Sequence, residues 1–254
     1  MSRATSTRNG GTMRLARSAA DAIRLVRGGH VKRVARSLRS RLGSETLSLG
    51  LMRDVSIPFA APAAKMRLEV RPRRPGELLD FLSLNAHAQA GDAAFALVER
   101  RLLDAGIGTC WVALTADGAP CYMQFLLTQR DNAGIRALWG DFFPPLGPGE
   151  ALLEGAFTPE AYRGQGIMAH AMARIAESAP ASGSRSVMTF VAADNVASLK
   201  GCKKAGFAPF LRRTEHWRWG HRRIAFERLP PGTPYPFDET PSKAPDAVSP
   251  LVKA

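Results

Sequence analysis

The chain has 254 residues, 45% of them apolar and 22% charged, enough for a sizeable core and too apolar for wholesale disorder. It shows no Gly-X-Y period and no sustained heptad, and no apolar run reaches the ~18 residues that a bilayer span requires. Three cysteines (Cys110, Cys121 and Cys202) with no Cys-x-x-Cys pair argue against a disulfide framework or a zinc ribbon and for a reducing, cytoplasmic compartment.

The net charge of +13 is unevenly placed: residues 1–41 hold eleven Lys/Arg and one acid, Asp21, against 24 Lys/Arg and 21 acids in the remainder. In that segment Leu15, Ala19, Ala22, Ile23 and Val26, then Val31, Val34, Ala35, Leu38 and Leu42, recur at helical spacing, with arginines and lysines between them. Two basic amphipathic helices within 14–42 are expected. Such helices can rest on an anionic membrane surface, grip nucleic acid, or pack on the body with their arginines in water; of the anionic partners the membrane is favoured over nucleic acid. A cleavable Arg-rich transit peptide fits the same composition, whereas no uninterrupted apolar stretch marks a secretory signal. Contact at the inner face of a membrane is therefore one expectation for a protein otherwise placed in the cytoplasm.

Further along, Thr46–Met52 alternates as a strand with Leu47, Leu49 and Leu51 on one face, and residues 56–64 read as a linker. A strand over Met66–Val70 precedes helices over 75–87 and 92–105, the latter with Leu97, Leu102 and Leu103 toward the core. Thr109–Thr115 and Cys121–Thr128 form a hairpin through Ala116-Asp117-Gly118, and Ile135–Trp139 is expected to be another strand. A Pro/Gly loop over 141–150 leads to a strand over 151–158, a helix over 166–178, a strand over 186–191, a helix over 195–205 and a final hairpin turning at Gly220. The last 26 residues hold seven prolines and are expected to be disordered. The chain thus divides into a basic extension (1–43), a strand and linker (44–65), an α/β body (66–228) and a tail (229–254). The order of elements predicts a mixed, mostly antiparallel sheet flanked by helices.

The strongest local signal is Thr158-Pro-Glu-Ala-Tyr-Arg163-Gly164-Gln165-Gly166-Ile167-Met168, placed between a strand and a helix. Glycines there let successive N–H groups turn toward one point, and the positive end of the helix completes an anion cradle suited to a pyrophosphate. About thirty residues later stands Asp194-Asn195-Val-Ala-Ser198-Leu199-Lys-Gly-Cys202-Lys-Lys-Ala-Gly206-Phe207. The two segments, in this order and on these elements, resemble the acetyl-CoA pyrophosphate loop and the last helix of the GNAT (GCN5-related N-acetyltransferase) superfamily, over about residues 66–228.

The resemblance implies a CoA-dependent N-acyltransferase, most simply an N-acetyltransferase, acting on the primary amine of a small molecule or peptide by direct attack in a ternary complex. Acetyl-CoA or another acyl-CoA is the implied co-substrate, and no metal is expected. The loop from Arg163 to Met168 would hold the pyrophosphate. The strand around Gly155–Phe157, Ala156 and Phe157 included, would splay from Thr189–Val191 to admit pantetheine, with Asn195 and Ser198 beside it. Two positions depart from the pattern: Met168 stands where a small residue is common, so its side chain must point away from the cradle. Cys202 stands where a tyrosine acid is frequent; it is either a weak acid for the departing thiolate or a small packing residue.

The amine needs a base. Glu154, a carboxylate in Leu-Leu-Glu-Gly-Ala-Phe, is the leading candidate because burial of an unaided charge is costly; Glu150 shares its parity. Asp141 could bind a cationic substrate. His170 and His87 lack metal-ligand spacing, Lys200, Lys203 and Lys204 could meet the CoA 3′-phosphate or face water, and Trp217-Arg218-Trp219 reads as core packing on one face. Two other functions remain open: a non-catalytic acyl-CoA sensor, and a membrane- or nucleic-acid-binding module acting through the basic helices. The acceptor and the oligomeric state stay open too, a homodimer among the options.

Overall fold

The computed structural model describes residues 42–77 and 102–238. Within them, eight strands form one sheet: β1 (Gly43–Asp54), β2 (Glu69–Pro72), β3 (Thr109–Leu114), β4 (Pro120–Thr128), β5 (Glu150–Phe157), β6 (Ser186–Ala192), β7 (Ala208–Arg218) and β8 (His221–Arg228). Three α-helices that lie wholly within these residues accompany them: α1 (Asn132–Trp139), α2 (Ile167–Ser178) and α3 (Val196–Lys204). The strands lie in the order β2-β3-β4-β5-β6-β1-β7-β8. Every neighbouring pair is antiparallel except β5–β6, which the α2 crossover makes parallel. This is the mixed, mostly antiparallel α/β sheet flanked by helices that the order of elements predicts.

Period-two alternation builds a core on each face of the sheet. On one face Leu51, Leu153 and Val187 meet Ile167, Met172 and Ile175 of α2 and Leu199 of α3. On the other, Val112, Phe125, Leu152 and Met188 meet Leu102, Ile135, Phe143 and Leu146. Leu152 and Leu153, adjacent in β5, serve opposite cores.

Several expectations change. Ile135–Trp139 is helical, within α1, rather than a strand. Its Ile135, Leu138 and Trp139 share a face at helical spacing, and Asn132 anchors the first turn by exchanging two 2.9 Å hydrogen bonds with the Leu146 backbone. Residues 44–65 are not separate from the body, because β1 lies between β6 and β7. Arg53 near its end is buried and donates to Ala173 O at 3.3 Å and Ala205 O at 3.2 Å, tying β1 to α2 and to the end of α3. Leu49 and Leu51 are buried as expected, but Leu47 is exposed.

The tail is ordered as far as it is described. Tyr235 is buried and donates its hydroxyl to Phe207 O at 2.8 Å, Phe237 stacks on it, and Asp238 pairs with Lys203 at 2.6 Å. Aromatic anchors supply the burial that a proline-rich composition hides. Trp219 is exposed and Trp217 half-buried, with its indole N–H on Glu215 at 2.9 Å, so this hairpin end is not core. The helices expected over 14–42 and 75–87 lie almost wholly outside the described residues, as does most of that over 92–105. Residues 102–105 are helical, with Leu102 in the core.

Candidate active site

β5 and β6 pair only over Glu150–Leu152 and Ser186–Met188. Both strands continue, to Phe157 and Ala192, without pairing to each other. The parting is built into β5: Gly155 has φ +70°, and the register with β4 shifts between Met123 and Phe125. A glycine bulge of this kind adds twist and turns a strand from its neighbour. The result is a cleft of about 170 Å³ walled by Glu154, Gly155 and Ala156 of β5 and Thr189, Phe190, Val191 and Ala192 of β6. Gln124 of β4, Met168 and Met172 of α2, and Asn195, Ser198 and Cys202 complete it.

At α2 the chain turns through Gly164 (φ +75°) and Gly166 (φ +77°), conformations that favour glycine. No side chain caps α2, and its first hydrogen bond runs from His170 N to Gly166 O at 3.1 Å. Among the described residues, the N–H groups from Gly164 to Met168 have no protein acceptor. Five free donors at the positive end of a helix form an anion-binding concavity. Residues 62–65 brace it from outside: Lys65 N donates to Gln165 O at 2.9 Å, and His170 Nδ1 lies 2.9 Å from Pro62 O.

Glu154 stands in the cleft wall just past the last β5–β6 pair. It keeps some solvent contact, yet protein surrounds it, and burial pushes its carboxyl up to about 7 against the opposing pull of Arg213 and the Gly155 backbone. Arg213 of β7 is only 6% exposed. It donates to Ser48 Oγ at 3.1 Å and Phe142 O at 3.2 Å, and its guanidinium lies 3.6 Å from the Phe142 ring centroid. Burial pushes its pKa down to about 10, while Glu154 works to raise it. The pair is a long-range electrostatic one, Arg213 holding its hydrogen bonds elsewhere.

The chain matches the acetyltransferase (GNAT) family model over residues 94–207. Residues 94–207 are a GNAT acetyltransferase domain. A GCN5-related glucosamine N-acetyltransferase region of a fungal multi-domain GH3 β-N-acetylglucosaminidase shares the fold at TM-score 0.50 and 14% identity, over 77% of this chain and 23% of that one. GNAT-family proteins from Sphaerobacter thermophilus (TM-score 0.45, 13% identity, 80% of this chain and 58% of that one) and Colwellia psychrerythraea (0.44, 15%, 79% and 62%) are also similar. The chain spans less than two thirds of the length of these last two. No curated protein matches it.

Within the GNAT domain the cleft brings together Glu154, Ala156, Met168, Asn195, Ser198 and Cys202. Arg163, Gly164, Gln165, Gly166 and Ile167 directly precede Met168; Arg163 Nε donates to Thr158 O at 3.0 Å, and Ile167 is core. Met168 points away from the cradle, toward α3, where a Cβ on Gly201 would lie 3.2 Å from its sulfur. The two positions compensate: the larger residue on α2 fits because α3 has a glycine. Asn195 caps α3 by accepting from Ser198 N at 3.1 Å.

Other expected residues sit elsewhere. The Phe157 ring is buried in the core opposite α2. Asp141 is bound to Arg222 at 2.6 Å and is not part of the cleft wall. Glu150 accepts from Gly147 N at 2.8 Å and closes the turn into β5. Cys202 is fully buried with its thiol toward Met172 Sδ at 4.0 Å, and burial pushes the thiol up to about 12, an environment of packing rather than proton donation. Lys203 is engaged by Asp238. Two residues at or near the site, Gln124 and Arg213, do not stand out by spacing. Their signal is subtler: each is a lone polar residue at an inward position of a strand, Gln124 within the apolar run Cys121–Leu127.

Proposed function

We propose that the protein is a CoA-dependent N-acyltransferase that moves an acyl group, acetyl in the simplest case, from acyl-CoA to the primary amine of a small molecule or peptide. The observation that carries this reading is the parted β5–β6 pair opening beside an uncapped helix N-terminus, with a carboxylate of raised pKa in the wall. The diphosphate of CoA meets the N–H groups from Gly164 to Met168. The pantetheine amides pair with the free strand edges of β5 and β6, as an added strand would. Asn195 and Ser198 flank the arm.

Glu154 is the base. With a pKa of about 7 it is about half ionised at neutral pH and basic enough to take a proton from the attacking amine. The amine nitrogen adds to the thioester carbonyl carbon. Its proton passes to Glu154, and backbone N–H groups near Ala156–Thr158 face the developing oxyanion. As the C–N bond becomes an amide, the C–S bond breaks and CoA leaves as a thiolate, which solvent protonates. Cys202 has no role in this scheme.

Calorimetric titration of acetyl-CoA tests it, with a Gly164→Glu, Gly166→Glu variant beside the wild type. Saturable binding by the wild type that weakens at least about 100-fold in the variant is expected, because both positions need positive φ and two carboxylates then occupy the anion cradle. A folded wild type that binds no acetyl-CoA would overturn the reading.

A further inference from the structure

Gln124 stands in the middle of β4 and is 1% exposed. A buried amide needs partners at both ends. One end has its partner: the Tyr122 hydroxyl, itself fully buried, donates to Gln124 Oε1 at 2.8 Å, which fixes the way the amide faces. The other end does not. Among the described residues, Nε2 is a buried donor with no acceptor. An apolar side chain would fill this place in the sheet without that penalty.

The space that borders Gln124 is the cleft, of whose wall it is part. Its level there is defined by the register with β5: Met123 pairs with Phe157 and Phe125 with Glu154, so Gln124 lies opposite the bulge at Gly155 and Ala156. The pantetheine amides find their partners on the free edges of β5 and β6, whereas Gln124 projects from β4, across β5 from that gap. Gln124 shares the face of Tyr122 and Leu126 and Glu154 that of its partner Phe125, so the two groups reach the one cleft from opposite faces of the sheet. An uncharged acceptor oxygen at this level is the group that completes the amide.

We propose that Gln124 is an acyl-binding residue, its Nε2 donating a hydrogen bond to the carbonyl oxygen of the acyl group held for transfer, with Tyr122 holding the amide in that orientation. This rests on the acyl-CoA reading of the cleft. The contact strengthens as the carbonyl oxygen gains charge on attack, so it serves both binding and turnover.

The experiment titrates full-length wild type, Gln124→Met and Gln124→Leu with three probes: acetyl-CoA, S-ethyl-CoA (a thioether without the carbonyl) and free CoA. Each substitution is expected to lower acetyl-CoA affinity about tenfold and to leave S-ethyl-CoA and free CoA unchanged. Met is nearly isosteric with Gln, and either variant alone answers should the other not fold. Equal losses for all three probes, or no loss for acetyl-CoA, would overturn the proposal while leaving the acyl-CoA reading intact. Failure of every probe to bind the folded wild type would overturn both.

Discussion

The two ends of the β5–β6 pair make an instructive contrast. At one end, Glu150–Leu152 and Ser186–Met188 are hydrogen-bonded, and Leu152 and Met188 sit in the same apolar core. At the other, the same two strands run on unpaired and present Glu154, Ala156, Thr189 and Val191 to a cleft. One glycine bulge separates the regimes. A sheet thus divides its labour within a few residues: the paired end is stability, and the parted end is backbone donors and acceptors left for a ligand. Substitutions on either side of Gly155 should therefore fail in different ways.

The largest effect is expected at the open end. Glu154→Gln should lower turnover about 100- to 10,000-fold, read as thiol release with a panel of amines, while acetyl-CoA affinity changes little. Comparable turnover would remove Glu154 as the base. Next comes the closed end, where Leu152→Ala should lower unfolding free energy by about 2–5 kcal/mol in a denaturant titration and leave kcat per folded molecule unchanged. A loss of kcat as large as that of Glu154→Gln would erase the contrast.

A smaller effect couples the two. Glu154 has an ordinary carboxyl value of 4.5 and is held near 7 in the fold by burial. Between those values the folded chain binds a proton that the unfolded chain lacks, so this group makes stability fall as pH rises from about 4.5 to about 7. Denaturant midpoints at pH 5 and pH 8 should therefore drop more for the wild type than for Glu154→Gln, and kcat/KM of the wild type should rise with pH through about 7. Parallel stability profiles would show that the carboxyl is not shifted. The smallest effect belongs to Cys202→Ala, which should cost about 1 kcal/mol of stability and leave turnover as it was. A large loss of turnover would return Cys202 to the mechanism.

What was legible in the sequence was local. The Gly164 and Gly166 turn, the helix over 195–205 and the hairpin of Thr109–Thr115 with Cys121–Thr128 each express a demand of the residues concerned and their near neighbours. Long-range facts were not legible. Ile135–Trp139 is short enough to suit a strand or a helix, and the deciding contact is Asn132 with Leu146. Asp141 looked available in a Pro/Gly loop, but Arg222, from the distant strand β8, occupies it. Lys203 looked solvated until Asp238 of the tail returned to it. Gln124 carries no mark in the sequence, because an amide's unpaired end is a property of its surroundings. The carboxylate at Glu154 was conspicuous on composition alone, while the charge that modulates it, on Arg213, lies far along the chain.

The place of β1 has a consequence for how the molecule comes into being. A chain leaves the ribosome with its N-terminal end first, yet β1 sits between β6 and β7, with Gly43 paired to Arg218 and Asp54 to Ser186. Of the described strands, the first made must wait, with neither flank satisfied, until β6 and β7 have emerged. Until then β6 is a bare edge beside the nascent cleft. The segment 94–207 that carries the family likeness includes β6 but neither β1 nor β7. Expressed alone it would lack β1, β2, β7 and β8, and the exposed edge of β6 invites pairing with another copy. Completion of this sheet is thus a late, vectorial event, and β1 and β7, which both lie outside the family segment, are what seal it beside β6.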